Sequence, residues 1–218
     1  MGSLETCGTS NLSKQMRRFV DIFGSGVLLL LTAPLFLITA FAIWLDDGGD
    51  VFYRQTRVGL LGRRFELLKF RSMRINNLPI DDLTEIREGH PLVTPVGRWI
   101  RRYKVDELPQ LINVLRGEMS LIGPRPAMPE HEQKYTVFEC RRLSTRPGMT
   151  GWAQVSGNME LSWRERIALD VWYIDHRSLW LDVAILWQTL AVVIFGEEPD
   201  RAALEEALAY ANHIGGRS

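Results

Sequence analysis

The longest feature in the hydrophobic pattern is an unbroken apolar run: from Ile22 to Trp44, 23 residues pass without a charge, enough to cross a bilayer core of about 30 Å as one helix. Pro34 falls near its middle, where it removes a backbone hydrogen bond and crowds the preceding turn, so a bend is predicted there. Basic residues flank both ends, Lys14, Arg17 and Arg18 before the run and Arg54, Arg57, Arg63 and Arg64 after it. A span would leave positive charge on both sides of the membrane, whereas a segment that enters, bends at Pro34 and returns keeps both flanks on the cytoplasmic face. The pattern therefore predicts a re-entrant segment over residues 14–45, preceded by a flexible leader over residues 1–13.

Past Trp44 the pattern breaks into shorter units. Phe52-Tyr53 and Phe65-Glu66-Leu67-Leu68, separated by Gly59 and Gly62, predict short strands between Val51 and Met73. The polar stretch Asn76 to Gly89 reads as a surface helix or loop. Leu108, Leu111, Ile112 and Leu115 recur at helical spacing and predict an amphipathic helix ended by Gly117. Glu130 to Ser144 has helical composition, and Arg146-Pro147-Gly148 breaks it. A further helix is predicted over Trp163 to His176. Leu179 to Phe195 is apolar but interrupted by Asp182 and Gln188, which predicts an interfacial helix with Trp180 and Trp187 at headgroup level rather than a span. The tail contains an acidic helix, Arg201 to Ala211. The sum is an α+β chain, mostly helical. A re-entrant membrane helix hairpin and amphipathic interfacial helices surround a small cytoplasmic domain over residues 46–196, followed by a C-terminal acidic helix or tail over residues 197–218.

Charge and cysteine usage narrow the function classes. The chain carries 26 basic and 26 acidic residues, so its zero formal charge excludes a nucleic-acid binder that works by bulk electrostatics. Cys7 and Cys140 stand far apart, with neither disulfide nor zinc spacing. The apolar run has no small-residue cleavage site after it, which argues against a secretory signal. No Walker-type loop and no GxGxxG occurs, and His90, His131, His176 and His213 show no ligand spacing.

The densest chemistry lies in Arg101-Arg102-Tyr103-Lys104-Val105-Asp106-Glu107-Leu108-Pro109-Gln110, two carboxylates directly after a basic cluster. Pro109 fits only the first turn of a helix, so Asp106 and Glu107 are expected at or just before a helix N-terminus, where unpaired N–H groups favour anions. A plain helix cap with a first-turn Glu explains the same two residues. Lys69, Arg71, Arg98, Arg101, Arg125 between two prolines, and Arg146 before Pro147-Gly148 are cations in turn or rigid contexts, suited to holding phosphate oxygens. A bound diphosphate would bring Mg2+, for which Asp106 and Glu107 are the natural ligands.

Six ordered motifs between Met16 and Phe195 resemble the bacterial sugar transferase family, the monotopic phosphoglycosyl transferases. They are Arg17-Arg18-Phe19-Val20-Asp21, Tyr53-Arg54-Gln55-Thr56-Arg57-Val58-Gly59, Lys69-Phe70-Arg71-Ser72-Met73, Asp106-Glu107-Leu108-Pro109-Gln110-Leu111, Gly123-Pro124-Arg125-Pro126, and Arg146-Pro147-Gly148-Met149-Thr150-Gly151-Trp152. The resemblance implies transfer of a sugar-1-phosphate from a UDP-sugar to polyprenyl phosphate with release of UMP, as the priming step of cell-surface glycan assembly. It implies Asp106 as nucleophile, Glu107 with Mg2+ as its partner, phosphate-holding roles for Lys69, Arg71, Arg101, Arg125 and Arg146, and a break at Pro34. Asp170 and Tyr173 are further substrate candidates on the same ground, against a plain packed helix face. Membrane lipids and downstream glycosyl transferases are the implied partners, at the cytoplasmic face of a bacterial inner membrane. Lys104 departs from the family, which has a small hydroxyl residue two positions before the Asp. Gly151 to Asn158 with Ser162-Trp163 resembles the branch handling acetamido and diacetamido sugars. Two other readings remain: a non-catalytic scaffold for anionic lipids, excluded by turnover of a UDP-sugar, and a glycosyl transferase that releases UDP in place of UMP.

Overall fold

The computed structural model describes residues 11–74, 92–196 and 198–215. The polar stretch Asn76–Gly89 and the first ten residues of the expected leader lie outside the described residues. Helix α1 (Asn11–Asp47) leads into an antiparallel hairpin of β1 (Phe52–Val58) and β2 (Arg64–Phe70), paired from Phe52↔Phe70 to Val58↔Arg64. Then follow α2 (Pro95–Arg102), α3 (Gln110–Arg116), β3 (Ser120–Ile122), α4 (Pro129–Glu132), α5 (Val137–Cys140), β4 (Gly148–Thr150), α6 (Trp152–Val155), α7 (Trp163–His176), α8 (Leu179–Phe195) and α9 (Arg201–Gly215). The mostly helical expectation with small sheets holds.

Local chemistry accounts for the helix starts. Thr94 accepts from the Gly97 amide and is followed by Pro95, which starts α2. Thr136 with Glu139, and Ser162 with Glu165, form reciprocal capping boxes at α5 and α7. The first of these boxes explains a correction. The single helix expected over Glu130–Ser144 is three short pieces, α4, α5 and a 3₁₀ turn at Arg141–Ser144, because Thr136 starts a new helix partway along.

The apolar segment is one helix with Pro34 inside it, and it begins at Asn11 rather than at residue 14. The expected hairpin is thus not divided into two helices; helical hydrogen bonding resumes beyond the proline. Two features weaken the ladder there: Pro34 donates no N–H, and Thr32 Oγ1 donates to Leu28 O at 2.7 Å, a back-bond that bends helices.

Residues on both sides of Pro34 pack on the same body. Before it, Arg17 pairs with Asp182 of α8, Arg18 donates to Val114 O and Leu115 O at 2.6 and 2.8 Å, and Asp21 accepts from Ser120 Oγ and the Leu121 amide at 2.8 and 2.9 Å. After it, Leu35, Phe36, Ala40 and Ile43 pack on Phe70, Ile100 and Val105. The window of α1 apolar enough to cross a membrane is nevertheless only 11% buried by the rest of the chain. Leu30, Leu31, Leu37, Ile38 and Phe41 are exposed, as are Trp180, Trp187, Leu190, Ile194 and Phe195 on α8. This apolar surface is far larger than a water-facing protein tolerates.

A second core carries the centre of the molecule: Phe65, Leu67, Leu111, Val114, Met119 and Leu121, with Leu29 of α1 against it. Here the predicted face of α3 needs correction. Leu111 and Val114 are buried while Leu115 is exposed, and its carbonyl is taken by Arg18 instead. Asn113, fully buried between those two, accepts from the Leu68 amide at 3.0 Å and donates to Glu66 O at 2.7 Å, so it satisfies the free edge of β2. Strands β3 and β4 pair in parallel, Ser120↔Gly148 and Ile122↔Thr150. A methyl on Gly123 would meet Arg146 O at 2.6 Å, and methyls on Gly148 and Gly151 would both clash with the Gly123 backbone. These glycines are required by backbones in contact.

Candidate active site

The Asp106–Glu107 pair does not sit on the first turn of α3. It lies in a separate 3₁₀ turn, Val105–Glu107, entered through Lys104 in the left-handed region at φ 55°. Val105 is buried with Phe70 and Ile100 on one side, and Leu108 packs on both neighbouring cores on the other. Two apolar anchors thus fix the turn and hold the intervening carboxylates in place. Pro109 occupies the N-cap of α3, and neither that helix nor the 3₁₀ turn has a side-chain cap. The helix-cap explanation of the acidic pair is therefore not what the geometry shows.

The two carboxylates are in different situations. Glu107 Oε1 accepts from Lys69 Nζ at 2.8 Å, and Arg125 Nη2 stands 3.5 Å from the same oxygen. Burial pushes Glu107 upward, but Lys69 and Arg125 outweigh it and hold the carboxyl at about 2. Asp106 is 8% exposed, and none of the described hydrogen bonds or ion pairs ends on its carboxylate. Burial, with the Glu107 charge beside it, raises its pKa against the pull of Lys69, Arg101 and Lys104. Adjacent carboxyls whose proton affinities are driven apart mark a division of labour. Glu107 is a fixed anion, and Asp106 is the more basic group and the one without a partner among the described residues.

The predicted cations separate into two sets. Lys69 of β2, Arg101 of α2 and Arg125 of the Gly123–Pro126 loop gather around the dyad. Arg101 also donates from Nε to Ser72 Oγ at 3.0 Å, tying α2 to the strand-end segment. Arg71 is buried against Gly49 in the α1–β1 connection. Arg146 donates to Gly117 O at 2.9 Å and, with Arg18, covers the carbonyl end of α3, a favourable place for positive charge. Tyr173 donates to Asp182 Oδ1 at 2.7 Å, and burial pushes its hydroxyl pKa upward. It joins Arg17 in pinning α1 to α7 and α8. Asp170 accepts from Arg142 Nη2 at 2.6 Å in a buried ion pair, and burial lifts its carboxyl to about 6 despite that arginine. Arg142 also donates to Tyr135 Oη at 2.8 Å and to Arg125 O at 3.1 Å, so this pair braces the loop that presents Arg125.

Sequence reasoning passed over Arg57, Asn113, Arg142 and Asp182. For Asp182 the signal was available, a charged residue within an apolar helix; for Asn113 it was not, because the apolar spacing pointed to the face of Leu115. Among the described residues no cluster of three or more His, Cys, Asp or Glu could hold a metal. Magnesium uses one or two carboxylates and completes its shell with substrate oxygens. Asp106, together with Glu107 Oε2, which enters none of the described hydrogen bonds, fits that mode.

The sequence matches the model of the family described as bacterial sugar transferase over residues 12–196. It is 40% identical to an uncharacterized sugar transferase EpsL of Bacillus subtilis, over 84% of this chain and 89% of that protein. It is 43% identical to an undecaprenyl-phosphate glucose phosphotransferase of Komagataeibacter xylinus, over 82% of this chain but 36% of the relative. It is also 43% identical to the UDP-glucose:undecaprenyl-phosphate glucose-1-phosphate transferase of Caulobacter vibrioides, over 80% of this chain and 68% of the relative. The chain belongs to the bacterial sugar transferase family and is a transferase. The shared part is about a third of the Komagataeibacter protein and most of the Bacillus one.

Proposed function

We propose that the chain transfers a sugar-1-phosphate from a UDP-sugar to undecaprenyl or a similar polyprenyl phosphate, releasing UMP, through a covalent intermediate on Asp106. The observation that carries this reading is the Asp106 carboxylate: nearly buried, raised in basicity, capping no helix and, among the described residues, in no ion pair. An Asp106 oxygen attacks the sugar-linked phosphorus, and the bond from that phosphorus to the UMP oxygen breaks. An oxygen of the polyprenyl phosphate then attacks the same phosphorus, the Asp106–phosphorus bond breaks, and the carboxylate returns. Lys69 and Arg125, oriented by Glu107, stabilise the charge on the transferring group. Asp106 and Glu107 would hold magnesium, which would offset the phosphate charge facing the nucleophile.

The apolar surface supports residence in a bacterial inner membrane, with the catalytic part on the cytoplasmic face. Contacts of Arg17 to Asp21 and of Leu35 to Ile43 with one body support a re-entrant course for α1, since a helix crossing the bilayer would carry one flank away from that body. In that setting the acceptor phosphate and the dyad share one height, and the product is left for downstream glycosyl transferases.

The test needs no variant. With magnesium and no polyprenyl phosphate, the enzyme exchanges labelled UMP into its UDP-sugar, and initial rates over both substrates give parallel double-reciprocal lines. Active enzyme with no exchange and intersecting lines removes the covalent step. The donor panel begins with UDP-glucose, the donor named for the Caulobacter relative, and includes UDP-acetamido sugars.

A further inference from the structure

Arg57 on β1 is a cation of the cleft beside the dyad, lined also by the Lys69 and Arg125 that meet Glu107, and no described ion pair ends on it. Nε and Nη2 donate to Gln55 Oε1 at 3.1 and 2.6 Å, and Nη1 donates to Pro126 O at 3.3 Å. All of these acceptors are neutral, and no described ion pair ends on Arg57. It is half-buried, and it lines one cleft together with Lys69, Gln110 and Arg125. Burial and the neighbouring Arg125 charge pull its pKa down to about 10, with Glu107 among the groups acting the other way. A desolvated guanidinium held only by neutral acceptors is poorly compensated, and its planar fork suits a phosphate. The other two cations of the cleft differ, since Lys69 and Arg125 both lean on Glu107.

We infer that Arg57 seats the phosphate that is not transferred, the one that leaves as the nucleoside monophosphate, and that Gln55 aims it. This rests on the donor being a nucleoside diphosphate sugar. With the sugar-linked phosphorus at Asp106, beside Lys69, the second phosphate extends along the cleft to the cation on which no described ion pair ends. As the phosphorus–oxygen bond breaks, that phosphate gains negative charge. Arg57 therefore acts more strongly on the departing group than on the bound donor, which lowers the barrier as well as strengthening binding.

The experiment uses the full chain in lipid nanodiscs, measuring calorimetric binding of UMP and of uridine, and initial rates over both substrates. Wild type, Arg57→Gln and Arg57→Lys are compared. Arg57→Gln weakens UMP by about tenfold or more, equivalent to about 1.4 kcal/mol, while leaving uridine binding unchanged. It also lowers kcat/KM for the donor and slows UMP exchange, with no change in kcat/KM for polyprenyl phosphate. Arg57→Lys keeps the charge but loses the fork and falls between; it is the deciding variant should Arg57→Gln fail to fold. Unchanged UMP affinity in a folded variant overturns the assignment, as does a defect confined to polyprenyl phosphate. Wild-type exchange separates the two levels. Exchange with UMP affinity indifferent to residue 57 removes Arg57 alone, whereas no donor turnover at all in wild type removes the reaction on which the assignment depends.

Discussion

Asp106 and Glu107 are chemically near-identical neighbours, and their surroundings give them different tasks. Because the Asp106 carboxylate caps no helix and, among the described residues, enters no ion pair, its removal costs the fold nothing that the structure shows. Asp106→Asn is expected to melt at the wild-type temperature or slightly above, since an amide relieves repulsion from Glu107. Turnover should fall by about a thousandfold or more, roughly 4 kcal/mol of barrier. Activity within about tenfold of wild type would refute the nucleophile. Asp106 was legible in the sequence because its motif is compact: two acids, a proline and a basic run within ten residues. Arg57 and Arg142 were not, because a single arginine looks the same whether solvated or braced. What distinguishes Arg142 is Asp170, 28 positions away, and for Arg57 it is the Pro126 carbonyl, 69 positions away. For Arg146, a cation before Pro-Gly, the contact that the sequence did not show is with the Gly117 carbonyl at the end of α3.

At the scale of elements, the pair Arg142–Asp170 joins the 3₁₀ turn before β4 to helix α7, and its pH response can be worked out. Burial raises the Asp170 carboxyl to about 6 against an ordinary 3.8, so the folded state binds this proton more tightly than the unfolded chain does. Its contribution to stability is therefore full below about 3.8 and is lost as pH rises through about 6, at most about 3 kcal/mol. Unfolding of wild type and Asp170→Asn, compared from pH 4 to 7, should show the wild type losing stability relative to the variant across that window. A difference that stays flat, or grows the other way, contradicts this. Helices α7, α8 and α9 were legible because caps and apolar spacing are local signals. The pairing of β3 with β4 was not, because three-residue strands joined across a long connection leave no periodicity to read. Helix α1 raises a question of topology that its pattern posed and its contacts sharpen. In protein with Cys7 and Cys140 replaced by Ser, Lys14→Cys should resist an impermeant thiol reagent added outside intact cells. Adding Pro34→Ala should expose it in part of the population, because the straightened run is long enough to cross. Labelling without the proline change would exclude the re-entrant course.

Across the whole molecule, helix α1 and the body it packs on are one folding unit. Leu29, Leu35, Phe36, Ala40 and Ile43 complete the cores around Val114 and Ile100, and Asp21 satisfies the Leu121 amide. A chain lacking residues 1–47 should consequently aggregate rather than yield a soluble enzyme, eluting in the void volume even with detergent. A monodisperse, UMP-exchanging fragment would show the body to be independent. The β3–β4 pair has a different consequence, for how such a molecule diversifies. It joins Ser120 to Gly148 and Ile122 to Thr150, so the chain between them leaves and returns through one narrow neck whose glycines admit no side chain. Arg125 stands at the base of this excursion, while Gln133 and Lys134 are exposed farther along it. Lengthening a loop costs little closure entropy, about 0.6 kcal/mol per doubling. A six-residue Gly-Ser insertion after Lys134 should leave UMP exchange intact, whereas the same insertion after Gly123 should abolish it. The neck is a fixed hinge-point of inheritance, and the exposed tip at Gln133 and Lys134 is free to take on new sequence while Tyr135 and Arg142 go on bracing the base.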